Sequence, residues 1–277
     1  MVIPADRLPP GFAESVARAP TAGAPTRPAA TAVLLRDGTA GPELLLLRRL
    51  RSAGFVPGAW VFPGGVVDDD DADAELVSRL GETPRGPGPA YWLAAIREVF
   101  EETGVLFARA GDASDARVGD VGAAGAVSGE ELTRWRDALL AGDATLLQVV
   151  HSLDLLPDIS RMVYCSHWIT PVAEPRRYDT RFFLAELPAG AVTSIDEREM
   201  SDALWIAPGK ALAAFRRGEL PMIFPTVKTI QMLMPYDSVD AMLSAFRGLD
   251  VPPILPRLVR TKEGVGIVMP RQEHDDA

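Results

Sequence analysis

One predicted helix constrains this chain more than any other feature. Residues 90–103, AYWLAAIREVFEET, place Trp92, Ile96, Val99, Phe100 and Thr103 within an arc of roughly 100° on a helical wheel, the width of a core-facing stripe. Gly104 stands where a C-cap glycine is expected. The other side carries Glu98, Glu101 and Glu102, with Arg97 four residues before Glu101, where an ion pair is expected. Like charges three and four apart on a helix repel. Either this face is solvated, or a divalent cation offsets the repulsion. Clustered oxygen ligands suit Mg²⁺ or Mn²⁺, which prefer carboxylates and keep several waters. Such an ion suits diphosphate chemistry, because it neutralises the phosphates, polarises phosphorus and lowers the pKa of a bound water.

The rest of the chain mixes strand and helix signals. TAVLLRD (31–37) and ELLLLRRL (43–50) are strand-length apolar runs joined by the turn residues DGTAG, which reads as a hairpin. A short strand is expected near Trp60–Phe62 and another over 105–108. Further strands are expected over 163–171 and 178–187. Helices are expected over 72–80, 128–152 (opened by a Ser128–Glu131 capping-box pattern), 208–217, 224–236 and 239–249, and a small hairpin in the tail. Asp68–Asp71 and Asp73 read as a solvated turn. Antiparallel hairpins interleaved with helices indicate an α+β fold rather than a doubly wound parallel one. The expected organisation is a Pro/Ala-rich, loosely held arm over 1–30, one domain over 31–236 with insertions at about 68–92 and 110–160, and a C-terminal extension over 237–277.

Composition narrows the function classes. Apolar residues make up 47% of the 277, enough for a sizeable core, and the formal net charge is −10. That balance argues against DNA or general nucleic-acid binding, which needs a basic face. A small anionic substrate stays open, since a bound metal inverts the local field. The single cysteine, Cys165, reads as a small buried hydrophobe and allows no intrachain disulfide. No apolar run approaches the ~20 residues that span a bilayer, so no membrane partner and a cytoplasmic location are expected. His151 and His167 are too isolated to suggest a metal site.

REVFEETGV (97–105) resembles the second half of the Nudix hydrolase signature, G-x5-E-x7-R-E-U-x-E-E-x-G-U with U aliphatic, and FPGG (62–65) resembles the loop that opens it. The spacing departs from the family. Counting from Gly65 places the signature arginine at 79, whereas the matching one is Arg97, so 18 residues are inserted. Eight residues before Arg97 stands Pro89, not a glutamate. That role is then absent or taken by another residue, with Glu75 the candidate. The blocks GFVPGAWVFPGGVVD, AIREVFEETGVLF, HWITPVAEPRRYDTRFFLAELP and PTVKTIQML are similar to the mammalian peroxisomal acyl-coenzyme A diphosphatase branch of the family. The coenzyme A signature L-L-T-x-R-[SA]-x3-R-x3-G-x3-F-P-G-G is matched at Leu45, Leu46, Arg49, Gly58 and FPGG. It is broken at Leu47, Leu50 and Gly54.

The resemblance implies a mixed β-sheet sandwiched between helices. It implies Mg²⁺ or Mn²⁺ held by Glu98, Glu101, Glu102 and the Gly65 carbonyl, with Arg97 orienting the carboxylates. The general base is one of the signature glutamates or one from DEREMSDALWI (196–206), where Glu199 is preferred over Glu197. Candidate substrate contacts are Arg49, Arg51, Arg176 and Arg177, which suit phosphates, and Trp168 and Tyr178, which suit stacking. The expected reaction is water attacking a diphosphate in coenzyme A or an acyl-CoA, giving adenosine 3′,5′-bisphosphate and a phosphopantetheine. Alternatives are another nucleotide diphosphate (NADH, ADP-ribose, capped RNA) and a non-catalytic nucleotide sensor. The insertion and extension also suggest a homodimer.

Overall fold

The computed structural model describes residues 2–4, 12–18, 23–53, 56–111 and 127–270. The Gly/Ala/Asp-rich stretch expected to be a flexible surface segment falls mostly on 112–126 and lies outside the described residues, as does the end of the extension, 271–277. The strands are β1 (Val2–Pro4), β2 (Thr26–Gly38), β3 (Gly41–Arg49), β4 (Trp60–Val61), β5 (Gly64–Val66), β6 (Ala108–Ala110), β7 (Leu155–Pro157), β8 (Met162–Ile169), β9 (Arg177–Glu186), β10 (Met200–Ile206), β11 (Pro253–Ile254), β12 (Arg257–Arg260) and β13 (Gly264–Val268). The helices are α1 (Phe12–Ala17), α2 (Ala74–Leu80), α3 (Pro89–Thr103), α4 (Gly129–Ala141), α5 (Leu146–Ser152), α6 (Pro208–Arg216), α7 (Phe224–Leu233) and α8 (Val239–Phe246), with a 3-10 turn at Asp69–Ala72.

An eight-stranded mixed sheet organises the molecule in the order β10-β3-β2-β9-β8-β11, with β4 on β3 and β5 on β2. β2 and β9 are parallel over ten residue pairs and β11 runs parallel to β8, while β3 joins β2, β4 and β10 antiparallel, β5 joins β2 antiparallel and β8 joins β9 antiparallel. The run Leu44–Leu47 is fully buried on both faces of β3, as a strand between two helical layers must be. One face packs Ala30, Ala32, Leu34, Leu45, Leu47 and Phe183 against α3. The other packs Val33, Leu35, Leu44, Leu46, Phe182 and Leu184 against α6, α7 and α8. The α+β expectation with a sheet between helices therefore holds.

Three local expectations change. The segment expected as one helix over 128–152 is two, because Gly142 adopts left-handed backbone after α4 and Thr145 starts α5 with its own capping box to Gln148. The strand expected over 105–108 begins only at Ala108 and pairs with β7. The N-terminal segment is not a free arm in its described parts. β1 pairs antiparallel with β13, β13 pairs with β12, and β2 already starts at Thr26.

Candidate active site

The glutamates ride on α3, which starts with Pro89 at its first turn and stops at Gly104, whose φ of 72° is left-handed. Pro fits the first turn because its missing N–H has no intrahelical partner there. Trp92, Ile96, Val99, Phe100 and Thr103 are all 0% exposed and form the predicted stripe. The opposite face is not solvated. Glu102 is 5% exposed, and the Glu98 and Glu101 side chains are 12% and 19% exposed. They are covered by β5 and the loop that follows it.

Close backbone approach makes that cover. A Cβ on Gly65 would stand 2.2 Å from Glu98 Oε1, so only glycine leaves room for this carboxylate. The Gly64 N–H donates to Glu102 Oε2 at 3.2 Å. Arg97 donates from Nε and Nη2 to the two oxygens of Asp71 at 2.9 and 2.8 Å, and from Nη2 to the Val66 carbonyl at 2.8 Å. Its Nη1 lies 2.9 Å from Glu98 Oε1 and 3.3 Å from Glu101 Oε1. One buried guanidinium thus ties the loop to the helix and sits between two of the glutamates.

A second loop closes the site from the C-terminal end of α3. The Ser194 and Asp196 amides donate to the carbonyls of Thr103 and Glu102 at 2.9 and 3.2 Å. Arg136, buried on α4, donates to the Glu101 carbonyl at 2.8 Å and to Ser194 Oγ at 2.9 Å. A cation against the last carbonyls of a helix is favourable for its dipole. The loop continues into Glu199, whose carbonyl accepts from the Leu50 amide at 2.9 Å and whose neighbour Met200 pairs with Arg49 of β3.

The electrostatics show an excess of negative charge. Burial pushes the Glu98 carboxyl up to about 7; Arg97 opposes the rise and Glu101 adds to it. Burial and Glu98 raise Glu102 well above the carboxylate range. The Gly64 N–H and Arg49 oppose this, and Glu199 adds to it. Burial also raises Glu101, against Arg97. Burial alone would lower the Arg97 guanidinium, but Asp71 and the glutamates raise it overall.

Residues 84–233, more than half of the chain, match the NUDT19 Nudix domain, and residues 25–116 match the NUDIX domain. The chain belongs to the Nudix hydrolase family. It is accordingly a pyrophosphohydrolase. It is 31% identical over 79% of its length to a Gallus gallus protein named acyl-coenzyme A diphosphatase NUDT19, of which it spans 67%. It is 29% identical over 84% of its length to the Homo sapiens protein of that name, of which it spans 72%. The crystal structure of a NUDIX hydrolase from Alicyclobacillus acidocaldarius superposes with a TM-score of 0.65 at 29% identity, covering 82% of this chain and 99% of that one.

The Nudix signature is completed by a residue the sequence reading passed over. Glu75 does not take the role of the first-half glutamate. It pairs with Arg79 at 3.0 Å on the surface of α2. Asp71, fully buried, is the carboxylate on Arg97. Counting six forward from Gly65, rather than eight back from Arg97, reaches Asp71. The insertion follows it, so the forward count is intact and the backward count is not. The run of aspartates is therefore a solvated turn only in part. Arg136 was also missed; its signal is a charge inside the apolar stripe of α4, four residues after Leu132 and three before Leu139.

The substrate-contact candidates divide. Arg49 lies beside Glu102, and its Nε is buried without a hydrogen-bond partner among the described residues. Arg51 is exposed in the turn after β3. Arg177 is spent on the backbone, donating to the Thr170 and Ala24 carbonyls at 3.0 and 2.6 Å. It pairs with Thr26, four register positions or roughly 13 Å along the strands from the Ala30–Gly65 pair. Arg176 is exposed beside it. Trp168 is no stacking platform: it is 3% exposed, meets Phe224 edge-on at 5.8 Å, and packs in the core on the opposite face of the sheet from α3. The amide of Tyr178 donates to Thr170 Oγ1 at 3.0 Å in the same hairpin as Arg177. Cys165 is buried, its thiol pushed up to about 12 by burial, as a small core hydrophobe should be. No helix among the described residues is long and apolar enough to cross a membrane.

The donor set fits a hard divalent cation. It consists of oxygen atoms alone, the carboxylates of Glu98, Glu101 and Glu102 beside the Gly65 backbone, and burial raises the pKa of all three carboxyls. Among the described residues no three acidic, histidine or cysteine side chains close around one point. The side chains supply a partial sphere, which suits an ion that keeps several waters.

Proposed function

We propose that this protein hydrolyses the diphosphate linkage of coenzyme A or an acyl-CoA, giving adenosine 3′,5′-bisphosphate and an (acyl-)phosphopantetheine. The observation that carries the chemistry is the buried group of Glu98, Glu101 and Glu102 against Gly64 and Gly65. The substrate rests on the relatives named acyl-coenzyme A diphosphatase. On this reading Glu98, Glu101, Glu102 and the Gly65 carbonyl hold Mg²⁺ or Mn²⁺. Once bound, the ion supplies charge neutralisation at the diphosphate and a more acidic water. Arg97 holds Glu98 and Glu101 in place, itself held by Asp71. Arg49 donates its unpartnered N–H to a phosphate oxygen, a charge-assisted bond. Glu199 accepts the proton of the attacking water, within the field of Glu102. The deciding experiment is a product analysis by mass spectrometry with coenzyme A, acyl-CoAs, NADH, ADP-ribose and capped RNA. Bisphosphate release from coenzyme A species supports the reading. Preferential cleavage of another diphosphate removes the substrate assignment and leaves the chemistry.

The raised carboxyls also make stability depend on pH and on the ion. Glu98 holds its proton up to about pH 7 when folded, against an ordinary value of 4.5. Its stabilising contribution is therefore complete below about 4.5 and is lost as pH rises through 7, worth up to about 3 kcal/mol. In EDTA, Tm is expected to fall between pH 5 and pH 8. Mg²⁺ should restore it at pH 8 and hardly change it at pH 5, and Glu98→Gln should flatten the slope. A Tm at pH 8 indifferent to Mg²⁺ and Mn²⁺ would sink the ion assignment.

A further inference from the structure

Two features remain unused by this chemistry: the residues inserted in the Nudix signature and the extension beyond the matched domain. They meet. Pro84–Pro87 of the insertion and Arg247–Val251 of the extension line one cavity of about 550 Å³, together with Tyr164, His167 and Arg181 of β8 and β9 and Trp92 of α3. That volume lies in the range of small-molecule sites. The cavity is set at the N-terminal end of α3, whereas the glutamates ride its C-terminal half, and a helix N-terminus favours anions.

The lining has two chemistries. Arg85, Arg181 and Arg247 face it against one acid, Asp250, in a chain whose formal net charge is −10. Arg181 is partly satisfied by Asp179 and His167. Burial lowers the pKa of His167 although Asp179 opposes this, and its Nε2 lies 2.5 Å from Asp179 Oδ1 and against Arg181. Arg85 and Arg247 are exposed and form no ion pair among the described residues. The remaining wall is apolar: Pro84, Pro87, Met162, Leu249 and Val251. Leu249 is 55% exposed. The insertion wall is seated closely, since a Cβ on Gly86 would stand 3.1 Å from the Tyr164 ring.

We propose that this cavity is a second binding site, for a phosphate monoester with an apolar or aromatic body, a nucleoside phosphate being the nearest class. Arg85 and Arg247 take the phosphate bidentately, and the proline–leucine wall takes the body. The ligand is either the distal end of the enzyme's own substrate, which rests on the function proposed above, or a separate nucleotide.

The test is calorimetry on the full chain in EDTA, so that no metal-dependent binding contributes. The probes are adenosine 5′-monophosphate, adenosine 3′,5′-bisphosphate, adenosine and inorganic phosphate. The nucleotides should bind at least tenfold tighter than either adenosine or phosphate, and Arg85→Glu with Arg247→Glu should weaken them at least tenfold. Both arginines are exposed, so Tm should hold; Arg85→Ala with Arg247→Ala is the milder pair if it does not. Steady-state kinetics then assign the source. A tenfold rise in KM at constant kcat marks the substrate's own end, and an unchanged KM with lost probe binding marks a separate ligand. Nucleotide binding no tighter than phosphate, or binding that survives both pairs of substitutions, overturns the site.

Discussion

Glu102→Gln is expected to lower kcat by about 10³-fold while leaving the fold intact. The two consequences separate because of how Glu102 is held. Its Oε2 accepts the Gly64 N–H at 3.2 Å, and a glutamine oxygen can accept the same bond. Its volume is unchanged in a site only 5% exposed. The substitution removes a carboxylate that burial and Glu98 already make costly, so the metal-free protein should melt no lower than the parent. On the proposed function, what is lost is a charge that would hold a divalent ion, and with it the stabilisation of the diphosphate. Turnover with saturating Mg²⁺ and Mn²⁺ and a melting curve in EDTA measure the two arms. Normal turnover with a Tm several degrees lower would show the carboxylate to be structural.

Asp71→Ala should produce the largest loss of stability, about 3–5 kcal/mol. Asp71 is 0% exposed and holds both Nε and Nη2 of Arg97, itself 6% exposed. Truncation removes two charge-assisted bonds from a buried guanidinium that cannot lose its proton and leaves its Nε without the partner it has. For a chain of this size the shift in Tm is roughly 10 °C. Activity should fall as well, because an Arg97 released from Asp71 is drawn further onto Glu98 and Glu101, which it already touches at 2.9 and 3.3 Å. Asp71→Asn keeps one acceptor and should cost less. Glu75→Ala removes only surface contacts, with Arg79 at 3.0 Å and His151 at 3.8 Å, and should change Tm by less than about 1 °C, since surface ion pairs contribute little. Equal effects at positions 71 and 75 would contradict this division of roles.

Legibility in the sequence followed the range of the interaction. The extent of α3, its capping at Gly104 and its apolar stripe depend on residues within about four positions of each other, and all three were readable. So was the β2–β3 hairpin, from two apolar runs and the turn between them. The strand containing Trp168 was readable but its face was not. A register shift between Tyr164 and Ser166 changes the alternation along β8 and sends Trp168 to the far core.

The amino-acid order by itself determined an α+β chain with a long amphipathic helix, three glutamates together on that helix, and the Nudix resemblance they carry. Only the tertiary structure decided that the glutamate face is buried, because the cover comes from Gly64 and Gly65 and depends on a backbone approach no spacing reports. It also decided that Asp71 rather than Glu75 holds Arg97, that Arg136 and the loop at 194–196 bring Glu199 to Glu102, and that β1 joins the far end of the chain at β13. Each of these joins segments separated by an insertion or by most of the chain. Local propensity is silent at that distance, and packing of the whole sheet against its two helical layers selects the pairing.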